Sequence, residues 1–293
     1  MKAPILRRQS VQSACLGSPL IRLASLLVFA IAPSLAPCYA QQASAPAKPP
    51  PIPAYFVPRT ADDARAVLRA AEEEHPGDSI EVAQALATVA LMESAYEKST
   101  DGTLAEAQRA VRIAEKVKGK ESPQYAFTLA IEARVHSDMD RPDLARPMAE
   151  EALAIGQRTG ARSGAMANIL SSLNIACFRQ DDLDCAVHVA QLQVDLAREK
   201  EATEPTYLAS ALNSLASNLR RKADLPAMEK VVNELLDLKA KQTNLDDPIW
   251  VTTENTANLY FSGMHQYDKA RDHLLIAIDL SIHQLGPDDL DQS

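Results

Sequence analysis

A small side chain recurs along this chain at near-regular intervals, each time shortly after an amphipathic segment and a polar turn. Ala107, Ala145, Ala186 and Ala270 are separated by 38, 41 and 84 residues, the last interval being twice 42 with Met228 at the intervening place. Only a short Cβ fits a close crossing of two helices, so the recurrence predicts stacked helix pairs rather than a single bundle or a sheet. The segments before these residues carry the matching stripe. Leu212, Leu215, Ala216 and Leu219 fall on one helical face, and similar patterns occur in Leu170, Leu173 and Ile175 to Cys177, in Leu129 and Ala133, in Leu86, Val89 and Ala90, and in Ala257, Leu259 and Tyr260.

Between the pairs, Ser122-Pro123, Glu204-Pro205 and Asp247-Pro248 read as helix starts, because a polar cap satisfies free amides and proline at the first helical position loses no hydrogen bond. Pro142, Pro147 and Pro226 are expected in turns or in the first turn of a second helix. The 18 prolines are therefore compatible with an all-helical chain. The 9 glycines, with only 5 Phe, 7 Tyr and 1 Trp, argue against sandwiches, barrels and glycine-looped nucleotide folds.

The two ends differ from this array. Residues 1–40 carry Lys2, Arg7, Arg8 and Arg22 with no acidic residue, a short apolar stretch from Leu23 to Pro33, and small residues before Gln41, which together predict a signal peptide cleaved after Ala40. Pro33 and Pro37 cut the apolar stretch short of the roughly 20 residues a spanning helix needs. Arg7-Arg8 lacks the apolar residues that usually follow a twin-arginine signal. Leu35-Ala36-Pro37-Cys38 resembles a lipoprotein box with proline at a disfavoured place. Residues 41–58 hold Pro49-Pro50-Pro51 and read as a semi-rigid linker. Residues 59–293 are the array, a lone amphipathic helix at 62–74 followed by about five pairs. Without the signal the chain holds 26 basic against 39 acidic residues, a net charge of −13, which disfavours nucleic acid as a partner. No later stretch is apolar enough to span a bilayer, so the expectation is a periplasmic or secreted protein with no transmembrane segment in its mature part.

The array resembles the tetratricopeptide repeats, and among them the longer repeat of the kinesin light chain type. The resemblance rests on Leu212-x-x-Leu215-Ala216-x-x-Leu219, on Ala145 to Ile155 and on Leu285-Gly286-Pro287-Asp288, and spans about residues 75 to 293. His136, Cys177 and Leu219 stand where the family usually has an aromatic residue, and the first turn, Ser94 to Thr103, is longer than its pattern. The resemblance implies an all-α, right-handed superhelical solenoid whose first helices line a concave face.

On that frame the inner face carries Ser210, Asn213, Ser217 and Arg220, with Asn168, Ser171, Ile175 and Phe178, then Val251, Glu254, Asn258 and Phe261, and upstream Phe127, Ala130, Arg134 and Ser137. Amides offer donor and acceptor together, so Asn168, Asn213 and Asn258 are expected to hold the backbone of an extended peptide. Arg134 and Arg220 are expected to meet carboxylates, with Ser217 beside them, and Phe178 and Phe261 to receive apolar side chains. Packing between neighbouring repeats is the alternative role for each phenylalanine.

Catalytic signatures are missing: there is no G-x-S-x-G, G-x-x-x-x-G-K or H-E-x-x-H, and the six histidines show no metal-ligand spacing. No enzyme, cofactor or metal is expected. Cys177 and Cys185 flank the Asp181-Asp182 turn about symmetrically, which permits a disulfide between antiparallel helices; two small buried apolar residues are the alternative. These features predict an exported, non-catalytic scaffold or adaptor holding a protein or peptide. The alternative is an accessory subunit, tethered by lipid at Cys38, of a cell-envelope enzyme or secretion assembly.

Overall fold

A computed structural model describes residues 60–285 apart from Arg162, Lys200 and Ala202. The expected signal peptide, the proline-rich linker and the Gly286-Pro287-Asp288 lead-in lie outside the described residues. The described chain is all-helical. Helix α1 (Ala61–Glu74) is followed by five antiparallel pairs: α2 (Ile80–Tyr96) with α3 (Asp101–Lys118), α4 (Pro123–Asp138) with α5 (Pro142–Thr159), α6 (Ser163–Arg179) with α7 (Leu183–Arg198), α8 (Pro205–Arg221) with α9 (Leu225–Ala240), and α10 (Ile249–Gly263) with α11 (Tyr267–Leu285). Each second helix except α11 packs on the first helix of the next pair.

The recurring small residues are the crossings. Ala107, Ala145 and Ala186 are fully buried, and Met228 and Ala270 nearly so. A hydrogen bond fixes two of the crossings: Asn174 of α6 donates its amide to the Ala186 carbonyl at 3.3 Å, and Asn258 of α10 donates to the Ala270 carbonyl at 2.8 Å, across the same interval of 12 residues. Ala216 stands 12 residues before Met228, so where the second helix brings a large side chain the first brings a small one. Asn218 supplies a second donor to Ala186, 2.9 Å away, and also bonds Asn174 across the α6/α8 boundary at 3.2 Å.

The turns inside four of the pairs repeat with equal regularity. Asp140, Asp181, Ala223 and His265 have φ of 55°, 60°, 60° and 58°, at intervals of 41, 42 and 42 residues. In each the following amide reaches back five residues, Arg141 to His136, Asp182 to Cys177, Asp224 to Leu219 and Gln266 to Phe261, at 2.9–3.0 Å. These are left-handed helix C-caps of the Schellman kind, which satisfy carbonyls that the helix end leaves open. No glycine fills any of the four places. A Cβ there costs about 1 kcal/mol, so Ala223→Gly is expected to raise unfolding stability by about that amount in urea titration.

Caps and charge pairs complete the frame. Thr60, Ser79, Thr100, Ser122, Asp182 and Asp224 each accept from an amide in the first turn of α1, α2, α3, α4, α7 and α9. The first turn is shorter than the sequence reading, because α2 runs to Tyr96 and α3 already begins at Asp101. Pro147 sits in the second turn of α5 and not in its first. Its ring is exposed, so the carbonyl deprived of a ladder donor can meet water. Arg179 reaches Asp140 at 3.2 Å and Arg221 reaches Asp181 at 3.0 Å, tying each turn to the next repeat. Such exposed pairs each contribute little.

Candidate binding face

The first helices present a row of side chains not consumed by packing. Ser210, Ser217 and Arg220 of α8 and Thr252, Asn255 and Leu259 of α10 are exposed. Ser217, Arg220, Asn255 and Leu259 border one depression of about 250 Å3, floored by Asn213 and Met228. Arg220 has no ion-pair partner among the described residues, so its guanidinium is available to a ligand. Earlier in the row, Gln84, Gln124 and Phe127 line a second, more apolar depression of about 390 Å3, and Ile175, Phe178 and Arg221 border a third of about 540 Å3. Tyr96, at the end of α2, lines a fourth together with Tyr207, Ser210 and Thr252, so residues more than 110 positions apart share one surface.

The structure distributes the eight residues singled out in the sequence unevenly. Ser217 and Arg220 lie together at the α8/α10 depression, and Phe178 at its neighbour. One face of the Phe178 ring is covered by Arg221, whose guanidinium sits 4.2 Å from the ring centroid and donates to the Phe178 carbonyl at 3.1 Å. Asn168 is partly exposed on α6 and donates to the Gly164 carbonyl of its own helix at 3.0 Å. Asn213 is buried and uses both ends of its amide to join α8 to α10: it donates to Thr253 Oγ1 at 3.2 Å and accepts from Thr256 Oγ1 at 2.7 Å.

Asn258 holds the Ala270 crossing, and Phe261 stacks on His273 with centroids 5.1 Å apart. Both belong to the α10/α11 contact. The exposed face of α10 that continues the α8 row is one residue away, at Thr252, Asn255 and Leu259, and one residue on a helix is a rotation of about 100°. The interval of 42 from Met228 to Ala270 carried this register; a step of 41 displaced it.

Arg134 is mostly buried between α2 and α4. Its Nε donates to Ser94 Oγ at 3.2 Å, Ser94 is in turn hydrogen-bonded to Asp138, and burial pulls the guanidinium below its ordinary pKa. Cys177 and Cys185 are joined as a disulfide across the α6/α7 turn, with Cα atoms 5.8 Å apart.

Other buried ionisable groups also join helices. Glu93 accepts from Thr103 Oγ1 at 2.6 Å and is paired with Arg65 of α1. Glu254, buried on α10, takes Lys239 Nζ of α9 and His273 Nδ1 of α11, each at 2.6 Å. Among the described residues no group of three or more His, Cys, Asp or Glu is arranged to hold a metal ion. No helix among them is long and apolar enough to cross a membrane.

His136 gives a pH dependence with a definite sign. Burial, assisted by Arg141, depresses its pKa below 6.5, so between that value and the depressed one the unfolded chain binds more protons. Its contribution to stability is complete above about pH 6.5 and is lost as pH falls. Nearby Glu132 is raised by burial and acts oppositely, contributing stability below its unfolded pKa of 4.5 that is lost as pH rises through its folded value. His136→Leu should therefore flatten the loss of stability between pH 7 and 5.5 while leaving the Glu132 contribution in place, a difference measurable by urea titration at each pH.

No protein-family model and no curated relative matches the sequence. The fold is similar to that of solved proteins, among them these two. One is a protein from Podosopora anserina, described as a kinesin light chain with nearly identical TPR-like repeats, with a TM-score of 0.59, 13% identity, and coverage of 70% of this chain and 97% of that one. The other is BtubC (BKLC) from P. vanneervenii, with a TM-score of 0.60, 15% identity, and coverage of 78% and 92%. At such identities the likeness is one of fold. The described helices form an all-α solenoid with the fold of these tetratricopeptide-like repeat proteins.

Proposed function

We propose that this protein is an exported, non-catalytic scaffold that holds a segment of another polypeptide along its row of first helices. The observation that carries this reading is the exposed strip formed by Ser217, Arg220, Asn255 and Leu259, which joins a cation without an ion-pair partner among the described residues, hydroxyl and amide groups and an apolar side chain around one depression. Such a mixture suits an extended peptide, whose backbone needs donors and acceptors and whose carboxylate side chains or terminus need a cation. Arg220 gives an otherwise acidic protein a local preference for an acidic segment. The buried carboxylates Glu93 and Glu254 are committed to helix contacts.

Export follows from residues 1–40, with cleavage after Ala40 and a periplasmic or secreted location. Mass spectrometry of exported, unreduced protein is expected to find Gln41 at the N-terminus and no alkylatable thiol at Cys177 or Cys185. Two free thiols would remove the support for an oxidising compartment. The surface itself is tested with Ser217→Glu combined with Arg220→Glu, both exposed. Cross-linked capture of the partner from the cell of origin should fall at least tenfold while the melting temperature stays within about 2 °C, since exposed substitutions away from contacts are nearly neutral. Unchanged capture would refute the assignment.

A further inference from the structure

The last helix displays an apolar surface that the earlier second helices bury. Leu274, Leu275, Ile276, Ile278 and Ile282 are each 42–56% exposed, and no other helix shows such a concentration among the described residues. The register set by Ala186 and Ala270 places Leu274 and Ile278 at the positions of Ala190 and Val194 on α7, both fully buried in the cluster that α7 forms with α8. On α11 the equivalent stripe, Leu274, Ile278 and Ile282 at spacings of four, has no following helix among the described residues.

We infer that a second copy of this chain covers this face, α11 lying antiparallel on its partner's α11 about a two-fold axis. The charges beside the stripe favour this occupant. Arg271, Leu275 and Asp279 also stand four residues apart on one ridge, with opposite charges equidistant from Leu275. With Leu275 near the axis, each Arg271 comes level with the partner's Asp279 and each Asp279 with the partner's Arg271, so the surface is complementary to itself, as a two-fold interface requires. Asp279 has no ion-pair partner among the described residues, whereas Arg271 is held only by exposed neighbours on its own helix, Asp268 at 3.3 Å and Asp272 at 3.2 Å. The two copies thus bury the middle of the apolar surface, Leu274, Leu275 and Ile278, and join the charged pairs in one step, leaving the first-helix row open.

Sedimentation equilibrium of the purified protein at micromolar concentration should give twice the chain mass of 31.8 kDa, or twice that of the processed chain. Ile278→Glu should give the monomer mass with the helical circular dichroism retained. Independently of that variant's folding, R271D and D279R should each weaken association about tenfold or more, because each opposes like charges twice. An equimolar mixture of the two single variants should restore it, since both cross-pairs are then Asp against Arg, and so should the R271D/D279R double variant. A wild-type monomer at 100 μM, or single variants that associate as the wild type does, would overturn the inference. So would a mixture no tighter than its components, which would leave the stripe to a different partner.

Discussion

Glu254→Ala is expected to lose about 3–5 kcal/mol of stability, because it strands the Lys239 ammonium and the His273 ring, both mostly buried, without the carboxylate that binds them together. The effect should be local before it is global. In a repeat array most packing is between neighbouring pairs, so the loss of one interface lowers the stability of its own end first. Trp250, the sole tryptophan, is buried on α10 one turn before Glu254 and reports on that end alone. Tryptophan fluorescence should therefore show a transition well below that seen by circular dichroism, which averages all helices. Glu254→Gln, which keeps an oxygen for Lys239, should recover part of the difference. Coincident fluorescence and dichroism transitions in the alanine variant would contradict this local account.

The helix crossings give the second large effect. Leucine at Ala186 adds three carbons to a sealed contact and presses on the Asn174 and Asn218 amides bonded to that residue's carbonyl, at an expected cost of about 1–3 kcal/mol for overpacking and more if either amide loses its acceptor. The α8/α9 crossing tests the same geometry from the other side. Met228→Ala opens a cavity and is expected to cost about 2–5 kcal/mol, while Ala216→Asn forces an amide against Met228. Together they recreate the asparagine and alanine seen at α6/α7 and α10/α11. The double variant should therefore be more stable than the sum of the single losses predicts, by at least 1 kcal/mol in a double-mutant cycle. Strict additivity would mean that the two residues do not share a crossing.

These cases show what the sequence could and could not convey. The crossings were legible because a small residue at a fixed interval is a one-dimensional trace of close packing. The left-handed turns were not, since Asp140, Asp181, Ala223 and His265 share a backbone conformation and no chemistry, and their common spacing becomes visible only once φ is known. Asparagine was ambiguous for a related reason. The same amide that would hold a peptide backbone can hold the chain's own, and Asn213 and Asn258 are used in that way. Of the candidate row, Ser217 and Arg220 were accessible to sequence reasoning because α8 supplied the frame. Asn255 and Leu259 were missed through a one-residue slip that the Met228 to Ala270 interval would have prevented. Glu254 was placed on the open face by the same slip, because a lone acid on an amphipathic helix reads as solvated until its buried partners on α9 and α11 are placed.

The assignment of the first-helix row as the binding face is tested most directly by site-specific photo-crosslinking. A photoreactive residue placed at Ser217 or Asn255, both on the row, is compared with one at Leu144, exposed on the second helix α5. Adducts of one discrete mass from Ser217 and Asn255, with none from Leu144, are the predicted result. Equal labelling at all three, or adducts from Leu144 alone, would show that the partner is held elsewhere.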